Sequence, residues 1–368
     1  MYVSKKSLFI GVSLLAVIVV GTGFMMLSSS DFEFADAAQV GVSDKSLNAL
    51  VEDIQQNKFQ QIHSLLVYKQ GKVILEEYFS GNDDFIEFEN DVKRNTSRPK
   101  KQWQMDDMHY VASINKAVTS MLTGIVLRNY AIDVDAPVYQ FLPAEYQAYF
   151  TEEAYKALTF RHLLQMELGV EWDEWTGDDL KRLWKQDDFI PYLTAKNTVG
   201  PETRWAYNSA SSNVLLTLLN TITGDIRAYA QQHFYSPLNI QSDDYVWEDQ
   251  PTGVPEGAAR LFLRPRDMLK IGVMLLQDGS WQEKRVVPEE WINRLYQDTA
   301  EHNEEYSHGF WLYEIAGHTY LSANGDGGQY INVFPEQDLV VVMTQGNYLE
   351  HPLYFDQAKE IMSQYLFD

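Results

Sequence analysis

The sequence predicts a mixed α/β fold, an α+β arrangement in which an antiparallel sheet is flanked by helices and interrupted by an all-helical lobe. Three observations predict it. Strand patterns stand near both ends of the folding region, a long stretch of helical periodicity separates them, and an amphipathic helix closes the chain. Terminal strands that pair across a helical insertion form one sheet with a separate helical layer.

The elements follow in chain order. Lys5 and Lys6 precede an uncharged, mostly apolar run, Leu8 to Leu27. A basic end followed by such a run is an export signal. At about 20 residues the run is long enough to span a bilayer. Ala35-Asp36-Ala37 offers a cleavage site, although far from the run. A cleaved signal and a retained anchor both stay open, and the distance favours the anchor. Residues 1–38 are therefore set apart, leaving 39–368 as one domain.

Within that domain, Ile62–Tyr68 and Lys72–Phe79 read as a hairpin turning at Gln70-Gly71. Residues 80–108 are polar and charged, as expected of a surface excursion. From Ser113 the pattern becomes helical, with Val118, Met121, Leu122, Ile125 and Val126 recurring on one face. Thr159 reads as the N-cap of a helix ending near Gly169. Ala210–Thr223 is an apolar helix stopped by Gly224, and Ile226–Tyr235 follows it. Pro265 opens a helix to about Gln277, and Pro288 a shorter one. The lobe is expected at about 117–260. Strands return at Gly309–Ile315, Thr319–Ala323, Gln329–Phe334 and Leu339–Thr344, before a closing helix at Asp356–Leu366.

Composition narrows the function. The formal net charge of -23 leaves nothing to neutralise phosphates, which excludes nucleic acid as a partner. No cysteine is present, so disulfides, a thiol nucleophile and a lipoprotein anchor are excluded. There is no Gly-x-Ser-x-Gly elbow, no His-Glu-x-x-His and no phosphate-binding loop. No metal or cofactor is implied.

Ser113-Ile114-Asn115-Lys116 is a Ser-x-x-Lys motif at a helix start. Residues three apart share a helix face, so the ammonium reaches the hydroxyl. First-turn N–H groups are free, so the Ser113 amide can face a developing oxyanion. Burial near the positive helix end is expected to lower the lysine pKa and make it a base. A second match, Ser97-Arg98-Pro99-Lys100, contains proline and opens no apolar helix. It reads as a chance occurrence.

The stretch His109–Ser120 resembles the nucleophile segment of the serine β-lactamase-like superfamily, which holds class C β-lactamases, D,D-peptidases, esterases and 6-aminohexanoate-dimer hydrolases. Leu158–Met166, Arg204–Ser209, Leu263–Met268 and Asn324–Gln329 leading to Val333–Glu336 are similar to its further motifs. The resemblance covers about residues 45–368. It implies a β-lactamase-like fold and an acyl-enzyme on Ser113, with Lys116 as base and Tyr207 relaying protons to the leaving group. It further implies a second oxyanion N–H from Asp326, Gly327, Gly328 or Gln329, and substrate contacts from Asn208. Glu171–Trp175 would border the cleft, with Trp172 in its wall.

Two motifs depart from the β-lactamase branch. Tyr-x-Asn is replaced by Tyr207-Asn208-Ser209, and Lys-Thr-Gly by Asp326-Gly327-Gly328. An aspartate there is expected to repel substrates with a carboxylate near the scissile bond, unless it caps its own turn. The expectation is an exported serine hydrolase cleaving an ester or amide in a small or oligomeric substrate. Its membrane contact would come only through residues 8–27. The rivals are a D,D-peptidase or β-lactamase and a catalytically silent sensor domain.

Overall fold

The computed structural model describes residues 31–367 except 88–90, 94–99, 175 and 177. The apolar run Leu8–Leu27 and Ser97 of the second Ser-x-x-Lys match lie outside the described residues. Among the described residues no helix is long and apolar enough to cross a membrane.

Eight strands form the main sheet: β1 (Glu33–Phe34), β2 (Ile62–Lys69), β3 (Lys72–Tyr78), β4 (Tyr306–Ser307), β5 (Phe310–Ile315), β6 (His318–Gly325), β7 (Gln329–Phe334) and β8 (Leu339–Gln345). Their order is β1-β3-β2-β8-β7-β6-β5-β4. All pairings are antiparallel except β1 with β3. The two ends of the domain meet where Ser64 of β2 bonds Thr344 of β8, 2.7 Å apart in space and 280 residues apart in sequence. The expected hairpin and four late strands are all present, within two residues at each end. The folded unit begins at Glu33, ahead of the expected residue 39.

Both faces of the sheet are covered. On β8, Leu339, Val341 and Met343 join the cluster with Leu50, Ile54, Ile361 and Met362 of two terminal helices, α1 (Asp44–Gln55) and α7 (Leu353–Tyr365). Val340 and Val342 point the other way, as the strand period of two requires. There they meet α5 (Pro265–Leu276), where a Cβ on Gly272 would stand 2.5 Å from Val340 Cγ1. Only glycine lets that helix lie so close. Helix α1 has no counterpart among the expected elements. Its cap, Ser43 Oγ accepting from Ser46 N, is followed by buried Leu47, Leu50 and Ile54.

Helix α2 (Ile114–Asn129) is buried from Ile114 through Leu127. A helix covered on all sides belongs to the core. It lies between the sheet and α4 (Ser209–Thr223) of the lobe. The expected helix after Thr159 is α3 (Phe160–Gln165), closed by a capping box in which Thr159 and His162 exchange bonds. It stops at Met166, whose φ of 60° breaks the helix before Gly169. The lobe is not purely helical. His109–Tyr110, Leu261–Leu263 and Tyr245–Trp247 form a small antiparallel sheet at its base.

A buried histidine pair underlies the strand that leads to Ser113. His109 Nδ1–H donates to the Tyr110 carbonyl (3.0 Å), and its Nε2 accepts from His63 Nδ1–H (2.8 Å). Both rings lie against Trp103. Burial pushes His109 down from 6.5 to about 4, and pushes His63 well below its ordinary value, helped by His109 and Lys101. The folded protein therefore binds these protons more weakly than the unfolded chain. Stability from these groups is intact above pH 6.5 and is lost as pH falls towards 4, by about 3 kcal/mol for His109. Urea unfolding across that range is expected to show the loss, and His109→Gln to flatten it by a similar amount.

Candidate active site

The segment around Ser113 is a strand, a sharp turn and a helix. His109–Tyr110 pairs with Leu263 and Phe262. Ala112 then adopts φ 47°, a left-handed conformation that costs a residue with a side chain about 1–3 kcal/mol. Ser113 follows as the N-cap of α2. Among the described residues its backbone N–H has no acceptor. It lines a cavity of about 760 Å³.

Lys116 is buried, at 3% exposure. Its Nζ donates to Ser113 Oγ (3.1 Å), to Ser209 Oγ (3.1 Å) and to the Ala258 carbonyl (3.2 Å). Its ammonium also lies 4.9 Å from the centroid of the Tyr207 ring. The three hydrogen bonds come from three different segments, and Tyr207 belongs to the same segment as Ser209. The loop carrying Ala258 is held by the buried Glu256 carboxylate, which accepts from Asn213 Nδ2 (2.8 Å), Ala258 N (2.7 Å) and Arg260 N (2.7 Å).

Two residues not anticipated at this site complete it. Ser209 occupies the third position of the Tyr-x-Asn pattern and meets Lys116 there. Its Oγ–H donates to Glu174 Oε1, while Glu174 Oε2 accepts from Ser209 N (3.2 Å) and Trp172 Nε1 (2.6 Å). Burial raises the Glu174 pKa, against the opposing pull of the Lys116 charge and these hydrogen bonds. The acidic run Glu171–Glu174 carried a signal for this group, but not for which of its carboxylates turns inward.

The other expected residues distribute as follows. Tyr207 lines the cavity with Trp205, Trp311 and Tyr313. Its ring stacks on Trp311, and Trp311 on Tyr313, at centroid distances of 5.8 Å in each case. Asn208 caps α4 instead, its Oδ1 accepting from Ser211 N (2.8 Å) and its Nδ2 donating to the Ala206 carbonyl (2.8 Å). Trp172 stands behind Glu174, with its ring edge-on to Tyr192.

Asp326 lines the cavity, but its carboxylate accepts from Leu349 N (3.0 Å). Burial raises its pKa, and bonds from Leu349, Tyr354 and Gly327 oppose the rise. The Gly328 N–H is taken by the Gly325 carbonyl (3.2 Å), and Gly327 pairs with Asn347, whose N–H donates to the Gly327 carbonyl (3.1 Å). These two glycines pack against Tyr348 and Gln345. The Asp326 N–H has no acceptor among the described residues. Gln329 points its amide to the Gln345 carbonyl (2.7 Å).

The sheet edge meets Ser113 at Gly325, with Asn324 and Asp326 beside it in the cavity wall. A Cβ on Gly325 would stand 2.3 Å from the Val111 carbonyl oxygen and 3.1 Å from Ser113 N.

A sheet covered by helices on both sides, with a Ser-x-x-Lys helix start opening into a cavity at its edge, defines the class: serine hydrolases of the β-lactamase fold, which include esterases and amide hydrolases. Residues 55–358 match the sequence profile of the Beta-lactamase family, and the chain belongs to that family. The 6-aminohexanoate-dimer hydrolase of Paenarthrobacter ureafaciens is 22% identical over 205 residues, which are 52% of this chain and 51% of that protein. The chain thus spans about half the length of this curated relative. A family VIII carboxylesterase has the same fold, with a TM-score of 0.64 and 15% identity over 90% of this chain and 98% of its own. A penicillin-binding protein from Bacillus halodurans gives 0.61 and 17%, over 86% and 98%.

The close approach at Gly325 generates a prediction. In Gly325→Ala the added methyl must push β6 away from Ser113. An overpacked contact costs about 1–3 kcal/mol, and a displacement of about 1 Å at a reacting group costs roughly 100-fold in rate. Esterase assays and thermal unfolding of this variant are expected to show both losses.

Proposed function

We propose that the protein hydrolyses a neutral ester or amide through an acyl-enzyme on Ser113. The observation that carries this reading is the 3.1 Å contact between Lys116 Nζ and Ser113 Oγ at the cavity wall. Neutral Lys116 takes the hydroxyl proton as Ser113 Oγ bonds to the substrate carbonyl carbon. The free N–H groups of Ser113 and Asp326 receive the oxyanion. As the C–O or C–N bond breaks, the proton passes to the leaving group. Tyr207 relays it, because its hydroxyl has no hydrogen-bond partner among the described residues and its ring lies against Lys116. Water then attacks the ester carbon and releases the acid, returning the proton to Ser113.

The lining supports a neutral substrate. Trp205, Tyr207, Trp311 and Tyr313 make an aromatic wall, and the nearby carboxylates are Glu174 and Asp326. The likeness to an amide hydrolase and a carboxylesterase supports both bond types. D,D-peptidase or β-lactamase action and a silent sensor role are outcomes of the same test. Ser113→Ala is expected to lose fluorophosphonate labelling and turnover of p-nitrophenyl esters, at a stability cost of only about 1 kcal/mol. Lys116→Arg is expected to lose nearly all turnover, because guanidinium does not deprotonate. An active Ser113→Ala variant overturns the reading. Efficient nitrocefin hydrolysis by the wild type would transfer it to the β-lactamase branch.

We also infer that the chain is exported and that Leu8–Leu27 stays attached as an anchor. Support comes from the candidate cleavage site, which lies inside the folded unit. Ala35 N donates to the Val73 carbonyl (3.2 Å), and Ala37 is buried with Val40, Val42 and Leu47. A cut after Ala37 would strip β1 from β3. N-terminal sequencing of the native protein is expected to find a start near Met1 in the membrane fraction. A soluble product starting near Ala38 would refute retention.

A further inference from the structure

Lys116 is enclosed by three acceptors, which match the three N–H bonds of an ammonium. A base in that state must first give up a proton. One of the three acceptors leads onward. Ser209 Oγ receives from Lys116 and donates to Glu174, whose carboxylate is 5% exposed. We propose that Glu174 is the proton acceptor for Lys116, with Ser209 as the relay between them. This rests on the acyl-enzyme reading above.

The step balances. Lys116 passes one N–H proton to Ser209 Oγ, and Ser209 passes its own hydroxyl proton to Glu174 Oε1. A buried ammonium and a buried carboxylate become an amine and a carboxylic acid, with the serine unchanged. Two desolvated charges are removed together, which offsets the cost of separating the proton from the amine. Burial already draws the Glu174 carboxyl towards its protonated form. The amine is then free to accept the Ser113 proton. Glu174 acts through Lys116 and is a positioning residue for the base, not a group that touches substrate. Trp172 Nε1 and Ser209 N fix its second oxygen, so the first stays aimed at the relay.

The charged and titratable groups facing Glu174 come from four segments. They are Lys116 on α2, Tyr207 ahead of α4, Tyr306 on β4, and Lys181, which lines the same cavity from the helix Asp179–Leu183. Lys116 is joined to Glu174 by a continuous hydrogen-bond chain through Ser209.

The test uses the full-length protein and a neutral p-nitrophenyl ester. Glu174→Gln keeps the shape and removes the acceptor. Its kcat near neutral pH is expected to fall roughly 100-fold, with KM changed by less than about threefold. The rising limb of its pH–rate profile is expected to move up towards the ordinary lysine range of about 10.4, so that activity recovers in alkali. Glu174→Asp is expected to restore part of the neutral rate. Ser209→Ala deletes one oxygen and is expected to shift the limb in the same direction; it carries the test if the glutamine variant does not fold. A kcat within about threefold of wild type in both variants overturns the proposal, as does a lower rate with an unmoved limb. If Ser113→Ala is inactive while Glu174→Gln behaves as wild type, only the role of Glu174 fails. An active Ser113→Ala removes both readings.

Discussion

An ammonium group sealed from water needs an acceptor for each of its N–H bonds, and most of the architecture around Lys116 follows from that need. Its own helix supplies one acceptor, Ser113 Oγ. The lobe supplies the second, Ser209 Oγ, from the start of α4. The third, the Ala258 carbonyl, sits on a loop that returns towards the sheet. Three segments distant in sequence are thereby held to one nitrogen. Leaving out the buried acceptor at Ser209 or Ala258 would leave one N–H of the ammonium unsatisfied, at a cost of about 1–3 kcal/mol, whereas Ser113 opens onto the cavity, where water can take its place. The same demand repeats with opposite sign at Glu256, whose buried carboxylate gathers three backbone N–H groups and the amides of Asn213 and Asn115 to shape the Ala258 loop.

The sheet contributes an edge to this centre. Helix α2 is covered along its length, so its N-terminal end is where a substrate can reach it. The left-handed Ala112 turns the chain sharply there, and the side-chain-free Gly325 lets β6 pass beside that turn. Ser113 and Asp326, whose N–H groups have no acceptor among the described residues, then line one cavity from different elements. Strain at Ala112 is sustained because α2 on one side and the small sheet of His109–Tyr110 on the other fix the residues that flank it.

Local signals made much of this legible. The hairpin of β2 and β3, the late strands and the long helices were marked by period and by Gly, Pro and Thr punctuation. The reach of Lys116 to Ser113 was legible because three-residue spacing is a local property of a helix, whereas the roles expected of the pair came from the resemblance of their segment. Partners set by tertiary packing were not. Nothing local says that Ser209, and not Asn208, faces the lysine; the choice depends on Asn208 capping α4. Glu174 was one of several acidic residues in its run until the fold buried it. The glycines at 327 and 328 look like a backbone site in sequence, yet the turn itself takes the Gly328 amide, and Gly327 pairs with Asn347. Helix α3 was overestimated because Met166 takes a left-handed φ that no methionine advertises. Helix α1 went unmarked because its few apolar residues acquire a face only when α7 and the sheet lie against it.

The pairing of β2 with β8 has a temporal side. Residues 280 apart must find each other before the sheet exists, and such remote closures are slow. During synthesis the chain emerges from its N-terminal end, so α2, with Ser113 and Lys116, appears long before β6, β7 and β8. A ribosome-bound chain ending near residue 300 would carry the serine and its lysine but not Gly325 or the Asp326 amide. The cavity around Ser113 is thus completed last, by the strands that also close the fold. A nascent or truncated chain lacks the strand edge that passes Ser113, so on the proposed reading hydrolytic competence arrives together with the finished native state.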